Sequence, residues 1–217
     1  EGKALREGVK HIELVTDEVF KNLSDTQTPQ GILALVKQYH YTLEEVAGGS
    51  RKSAQAEDLQ EKPALLMVLE TIQDPGNLGT ILRAGEGAGV TGIVMDANTA
   101  DIYNPKVIRS TMGSVLRMPF VYVENLHETL EELKKKKIRL FAAHLQGKHA
   151  YDQEDYTGPA AFLIGNEGNG LTEETAAMAD TYIRIPMEGR VESLNAAVAA
   201  SVLMFEAARQ RRNHTGK

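Results

Sequence analysis

From Pro63 onward the chain alternates short apolar runs with amphipathic stretches, and this alternation sets the expected secondary structure. Ala64–Leu69, Gly92–Met95, Val121–Val123, Arg139–His144, Ala161–Ile164 and Tyr182–Ile185 have the length and apolar content of strands. Between them the pattern predicts helices over Asn77–Ala88, Pro105–Thr111, Leu126–Lys136, Glu173–Met178 and Leu194–Arg211. Nearly continuous apolar strands alternating with helices imply an α/β fold, a parallel sheet covered on both faces. Upstream the pattern changes. Residues 1–37 mix a short helical pattern with a β-rich run, Gly31–Val36, entered through the turn signal Thr28-Pro29-Gln30-Gly31. Residues 47–62 (AGGSRKSAQAEDLQEK) are small, polar and charged without periodicity, which is linker composition. The expected organisation is a small unit over 1–40, a linker over 41–62 and a main domain over 63–217.

The 217 residues carry 24 Lys and Arg against 30 Asp and Glu, a formal charge of −6. That balance argues at first against a polyanionic partner. By segment the charge is −3 over 1–60, −2 over 61–125, −4 over 126–189 and +3 over 190–217. Nucleic acid can therefore be bound only where cationic side chains cluster locally. The lysine run 134–137 follows acids earlier in the same helix, the order the helix dipole favours, and reads as a solvated helix end ahead of a nucleic-acid patch. No window approaches about 18 uninterrupted apolar residues, and the amino end lacks a secretory signal. The chain has no Cys, hence no disulfide framework, thiolate nucleophile or Cys-based metal site. These features point to the cytoplasm.

Open α/β sheets bind ligands at the carboxyl ends of their strands, and three loops there are unusual. The first, Gln73-Asp74-Pro75-Gly76-Asn77-Leu78-Gly79, leads into a helix carrying Arg83. It matches neither G-x-G-x-x-G nor a Walker loop, so nicotinamide and ATP sites lose most of their support. Gly85-Glu86-Gly87-Ala88-Gly89 has the wrong spacing for a dinucleotide fingerprint and reads as a helix C-cap followed by a turn. The second loop, Gly165-Asn166-Glu167-Gly168-Asn169-Gly170, follows the strand AFLI. Its glycines let backbone amides turn toward a ligand, and its glutamate needs a partner or solvent. The third, residues 185–195, runs into an Ala-rich helix, with Ser193 a good N-cap and Asn195 in the first turn.

Together QDPGNLGTILRAGEGAG (73–89), FLIGNEGNGL (162–171) and IPMEGRVESLNAAVAASVLMFE (185–206) resemble, in order and spacing, the three motifs of the SpoU (TrmH-like) branch of the SPOUT RNA methyltransferases. The resemblance covers residues 64–210. Residues 1–37, especially TPQGILALV, resemble the end of a small α/β RNA substrate-binding domain that precedes the catalytic domain in many members, with its beginning missing. The resemblance implies transfer of a methyl group from S-adenosylmethionine to a ribose 2′-hydroxyl, in ribosomal RNA ahead of transfer RNA. It also implies a deep trefoil knot in the carboxyl part of the sheet domain, which pattern reasoning would not propose, and a homodimer through that domain, with no metal. The apolar stripe Leu194, Val198, Val202, Phe205 is open between dimer surface and core packing.

Carried over by motif, the cofactor would be held by main-chain groups at Gly165, Ile185 and Leu194, with Ile164, Asn166, Pro186 and Ser193 adjacent. Arg83 is nominated as the central catalytic residue, with Asn77, Glu167, Ser193 and Asn195 around it. Arg83, Arg109, Arg117 and Arg190 are the candidate RNA contacts, extended by the basic tail Arg209, Arg211, Arg212 and Lys217. A sulfonium methyl group is already activated, so the protein's tasks are to align the ribose oxygen and relieve it of its proton. No His lies in any motif loop, and His144 at a strand end reads as structural. A guanidinium deprotonates only above about pH 12 and is a poor base near neutrality. Two roles remain for Arg83: a base of depressed pKa, or, favoured, a charged clamp for the phosphate beside the target ribose, with Glu167 orienting the clamp or the nucleotide. The competing readings are another α/β enzyme, nicotinamide-dependent or nucleotide-hydrolysing, and a non-catalytic RNA-binding module.

Overall fold

The computed structural model describes residues 11–24, 26–48 and 63–215, in two compact units that divide after Gln38. In the first unit, α1 (Asp17–Leu23) is capped by Thr16, whose side chain accepts a hydrogen bond from the Val19 amide. It buries none of its residues. No strand occurs among the described residues of this unit, which corrects the β-run expected at Gly31–Val36. Ile32 and Leu35 are exposed, and an apolar run without a neighbouring strand has no ladder to hold it extended.

The second unit opens with α2 (Leu43–Ala47), inside the stretch expected to be linker, whose residues 49–62 lie outside the described residues. A capping box supports so short a helix: Thr42 Oγ1 accepts from the Glu45 amide, and the Glu45 carboxylate accepts from the Thr42 amide. Its Val46 packs so closely on Gly92 that a Cβ there would lie 2.6 Å from Val46 Cγ1.

Seven strands then form one parallel sheet: β1 (Leu65–Leu69), β2 (Gly92–Asp96), β3 (Phe120–Val123), β4 (Arg139–Ala143), β5 (His149–Ala150), β6 (Ala160–Ile164) and β7 (Thr181–Arg184). Their order is β3-β2-β1-β6-β4-β7-β5. Between them lie α3 (Pro75–Ala88), α4 (Pro105–Thr111), α5 (Leu126–Lys135) and α6 (Glu173–Ala177), and α7 (Ala196–Thr215) ends the described chain. All six strands expected from the apolar runs are present. Alternate residues of β1 face opposite ways and both sets are buried. Leu65, Met67 and Leu69 join the core beneath α3, α4 and α7, and Leu66 and Val68 join the one beneath α2, α5 and α6. Burial on both faces is why these strands read as continuous apolar runs.

Helix α3 starts two residues before the predicted Asn77 because Asp74 caps it, accepting from the Asn77 amide at 2.8 Å, and Pro75 fills the first turn, where no amide is needed. Gly89, at φ 83°, closes it as the C-cap anticipated for that glycine cluster. The lysines ending α5 pair at the surface, Lys136 with Glu44 and Lys134 with Asp180, in keeping with a solvated helix end. Helix α7 buries its small face through Ala197, Ala200, Leu203, Met204 and Ala207. The stripe Val198, Val202, Phe205 is not that core; Val198 and Phe205 are each 48% exposed.

The basic tail is less available than its charge suggests. Arg211 turns inward and donates to the carbonyls of Pro63, Ala64, Tyr156 and Gly158, and burial pushes its guanidinium down to about 10. Arg209 pairs with Glu206 at 2.7 Å. Lys217 lies outside the described residues.

Candidate functional site

The carboxyl ends of β1 and β6 lie side by side, with Leu69 opposite Ile164 and the Glu70 amide donating to the Ile164 carbonyl at 2.9 Å. From β1 the chain builds outward to β2 and β3, then crosses to build the other half. A crevice opens at such a switch point. The first and second motif loops both leave from it.

Glu167 joins them. Its carboxylate accepts from the Asn77 side-chain amide at 2.9 Å, the Asp74 backbone amide at 3.2 Å and the Gln73 backbone amide at 3.4 Å. The Asn77 oxygen in turn accepts from the Asn195 side-chain amide at 2.9 Å. One hydrogen-bonded chain thus ties the second loop to the first and the first to the start of α7. Partial burial works to raise the Glu167 carboxyl, but the bonds from Asn77 and the loop amides outweigh it and hold the group below its ordinary value.

Asn166 braces the same loop from within. Its amide donates to the Thr71 carbonyl at 3.0 Å, and its oxygen accepts from the Gly168 and Asn169 amides at 2.8 and 3.2 Å. Gly165 is required by the loop's own closure: a Cβ there would lie 2.1 Å from Gly170 C and Leu171 N. Asn195 caps α7, its oxygen accepting from the Ala197 and Val198 amides at 2.9 and 3.2 Å. The expected N-cap role of Ser193 therefore belongs to Asn195, and the helix starts at Ala196, not Leu194.

The third segment is different in kind. Residues 185–194 take part in no hydrogen bond among the described residues, so the main-chain groups of Ile185, Ser193 and Leu194 are open there. Ile164 ends β6 and Gly165 follows it, Ile185 and Pro186 follow β7, both strands end on the same edge of the sheet, and Pro186 and Ser193 are exposed.

Arg83 lies on α3, exposed, and its guanidinium makes no hydrogen bond or ion pair among the described residues. Of the two roles expected for Glu167, orienting the clamp or the nucleotide, the first has no contact here, because Asn77 and two backbone amides hold that carboxylate. The side chains of Arg109 and Arg190 are likewise exposed and have no partner among the described residues. Arg117 is not: it donates through Nη2 to Glu86 at 2.9 Å, and Ser114 donates to the same carboxylate. This ion pair gives Arg117 a partner that the other candidate RNA contacts lack among the described residues. His144 is structural as expected, with Nδ1 accepting from the Gln146 amide and the ring against Tyr182.

Among the described residues no group of three or more His, Cys, Asp or Glu can hold a metal ion, and no helix is long and apolar enough to cross a membrane. What the site offers is a braced turn of amides around one carboxylate and a stretch of open main chain, with exposed arginines on α3 (Arg83), on α4 (Arg109) and in the open stretch itself (Arg190). Sequence reasoning did not single out Thr71 or Asp96, which brace the turn from behind. Neither stands out by residue type or spacing.

The sequence model described as the SpoU rRNA Methylase family matches residues 64–205, and the one described as RNA 2′-O ribose methyltransferase substrate binding matches residues 2–42. The 23S rRNA (guanosine(2553)-2′-O)-methyltransferase RlmP of Bacillus subtilis is 31% identical over 192 residues, which are 88% of this chain and 70% of that protein. The 23S rRNA (guanosine-2′-O-)-methyltransferase RlmB of Xylella fastidiosa is 39% identical over 148 residues, 68% of this chain and 59% of that protein. The AdoMet-bound rRNA methyltransferase of Sinorhizobium meliloti superposes with a TM-score of 0.77 at 31% identity, covering 89% of this chain and 70% of that one.

Proposed function

Because the chain belongs to the SpoU rRNA methylase family, we propose that it transfers a methyl group from S-adenosylmethionine to a ribose 2′-hydroxyl of RNA. The relatives RlmP and RlmB act on 23S rRNA, which favours ribosomal RNA over transfer RNA. The observation that carries the reading is the Glu167–Asn77–Asn195 chain, which draws all three motif loops to one corner of the sheet.

When bound, the cofactor supplies an activated methyl group. The residues present suit it: the open main chain of 185–194 offers donors and acceptors to adenine and carboxylate functions, and the Gly165 turn keeps side chains out of the way. Gly165, Ile185 and Leu194 would hold it, with Ile164, Asn166, Pro186 and Ser193 beside them. Glu167, Asn77 and Asn195 fix the three loops relative to one another. Arg83 clamps the phosphate beside the target ribose and stabilises the developing alkoxide, a role suited to an exposed guanidinium with its fork open. Arg109 and Arg190 extend that contact to RNA, and residues 2–42 act as the substrate-binding part.

The same reading includes a deep trefoil knot. In its support, β7 lies beyond β4 from β6, yet α7 packs against α3 and β6, so residues 185–194 recross the carboxyl ends of the sheet. It also includes a homodimer, supported by the exposed Val198 and Phe205 on α7, and a cytoplasmic location. Incubation with radiolabelled S-adenosylmethionine and bulk RNA, followed by digestion to nucleosides, is expected to place label in a 2′-O-methylnucleoside. Absence of cofactor binding by calorimetry would overturn the proposal, and label in a base would reassign the acceptor.

A further inference from the structure

Thr71 has φ 57°, in the left-handed region that β-branched side chains avoid. What holds it there is Asp96, a carboxylate only 8% exposed at the end of β2. The Thr71 amide donates to one Asp96 oxygen at 2.9 Å and the Thr71 hydroxyl to the other at 2.8 Å, while Thr99 donates to the same group at 2.7 Å. In this bent conformation the Thr71 carbonyl accepts from Asn166, whose oxygen gathers the Gly168 and Asn169 amides. The residue before it fixes the other end of the same loop. Glu70, also 8% exposed, accepts from the Thr172 amide and hydroxyl at 2.8 Å each and from the Thr175 hydroxyl.

Two consecutive residues after β1 therefore anchor the glycine loop at its entry and its exit, and both anchors rest on buried carboxylates whose oxygens are hydrogen-bonded. Burying such groups is unfavourable, and a glycine at 71 would adopt the same backbone without strain. Backbone strain held by its surroundings concentrates at sites where geometry must be set in advance. We propose that Thr71, held by Asp96, is a positioning residue of the methyl-transfer site. Through Asn166 it sets the second loop's main chain before any ligand arrives, while Glu70 secures the exit. The identity of the ligand rests on the function proposed above; the order of the free loop does not.

Thr71→Val keeps the side chain's shape and removes the hydroxyl, whereas Thr71→Ser keeps the hydroxyl. In the ligand-free full chain, NMR exchange of the Gly168, Asn169 and Gly170 amides is expected to quicken about tenfold in the valine variant and to stay within about twofold in the serine variant, with β1 and β6 amides unchanged. The dissociation constant for S-adenosylmethionine, by calorimetry, should rise by about the same factor in the valine variant alone. If that variant does not fold, Thr71→Ala, which removes the hydroxyl and keeps a Cβ in the left-handed backbone, takes its place with the same expectation for the loop. Loop exchange unchanged in the valine or alanine variant, or a serine variant that behaves like them, would overturn the proposal. A wild-type protein that fails to bind S-adenosylmethionine would overturn the proposed function and leave the exchange comparison standing.

Discussion

Residues 165–170 and residues 185–194 face the same corner of the sheet, and they are held in opposite ways. The first loop is fastened through Asn166 and Glu167 to Thr71, Gln73, Asp74 and Asn77. The second stretch has ten residues in sequence and no hydrogen bond among the described residues. Backbone groups without protein partners must be satisfied by water or by a ligand. Segments with few such bonds also open most readily, and binding sites draw on them. The difference teaches a division of labour, on the function proposed above: a pre-built floor at 165–170, and a strap at 185–194 left open for the ligand's hydrogen bonds.

The largest expected effect tests what neither region does. Arg83→Ala should lower turnover on the order of a thousandfold while cofactor affinity stays within about threefold, if the exposed guanidinium is the proposed phosphate clamp. A comparable loss of affinity would place Arg83 in the cofactor pocket. Gly165→Val attacks the floor directly and should weaken cofactor binding about a hundredfold by calorimetry. The added Cβ meets the loop's own backbone at Gly170 and Leu171, so the free loop should also lose amide protection. Lost affinity with an undisturbed free loop would mean that the side chain collides with the ligand instead.

Asn77→Ala cuts the link between the floor and Asn195 at the start of α7, where the strap ends, and should cost about tenfold in turnover, the scale of a hydrogen bond to a charged group. The same link gives a pH dependence. Glu167 is held below its ordinary value of 4.5, so its contribution to loop order is present above that pH and lost as pH falls through the folded value. Amide exchange at 165–170 should therefore quicken on acidification before exchange in β1 does. The smallest effect concerns RNA alone. Replacing Arg109 or Arg190 should reduce the salt slope of RNA binding by about one unit each, and replacing Arg117 should leave it unchanged because Glu86 already occupies that side chain.

The parts of this site legible in the sequence are those written in short range. Apolar runs gave all six predicted strands, and the breaker clusters placed the loops at their carboxyl ends. Helix α2 carried a readable signal as well, since Thr42 and Glu45 form a capping box at the required spacing, but its neighbourhood of small and charged residues reads as linker. Ser193 and Asn195 are both acceptable caps two residues apart, and only the return of the chain to Asn77 decides between them. Long-range pairings left no trace. Glu86 meets Arg117 and Asp96 meets Thr71 across 31 and 25 residues, so a strained threonine and a silenced arginine look ordinary until the sheet brings their partners together.

The most direct test of the division between floor and strap is amide hydrogen exchange across the whole chain with and without S-adenosylmethionine. Saturating cofactor is expected to slow exchange strongly over 185–194 and only slightly over 165–170, which should already be protected in the free protein. Equal slowing of both segments, or slowing confined to 165–170, would contradict it.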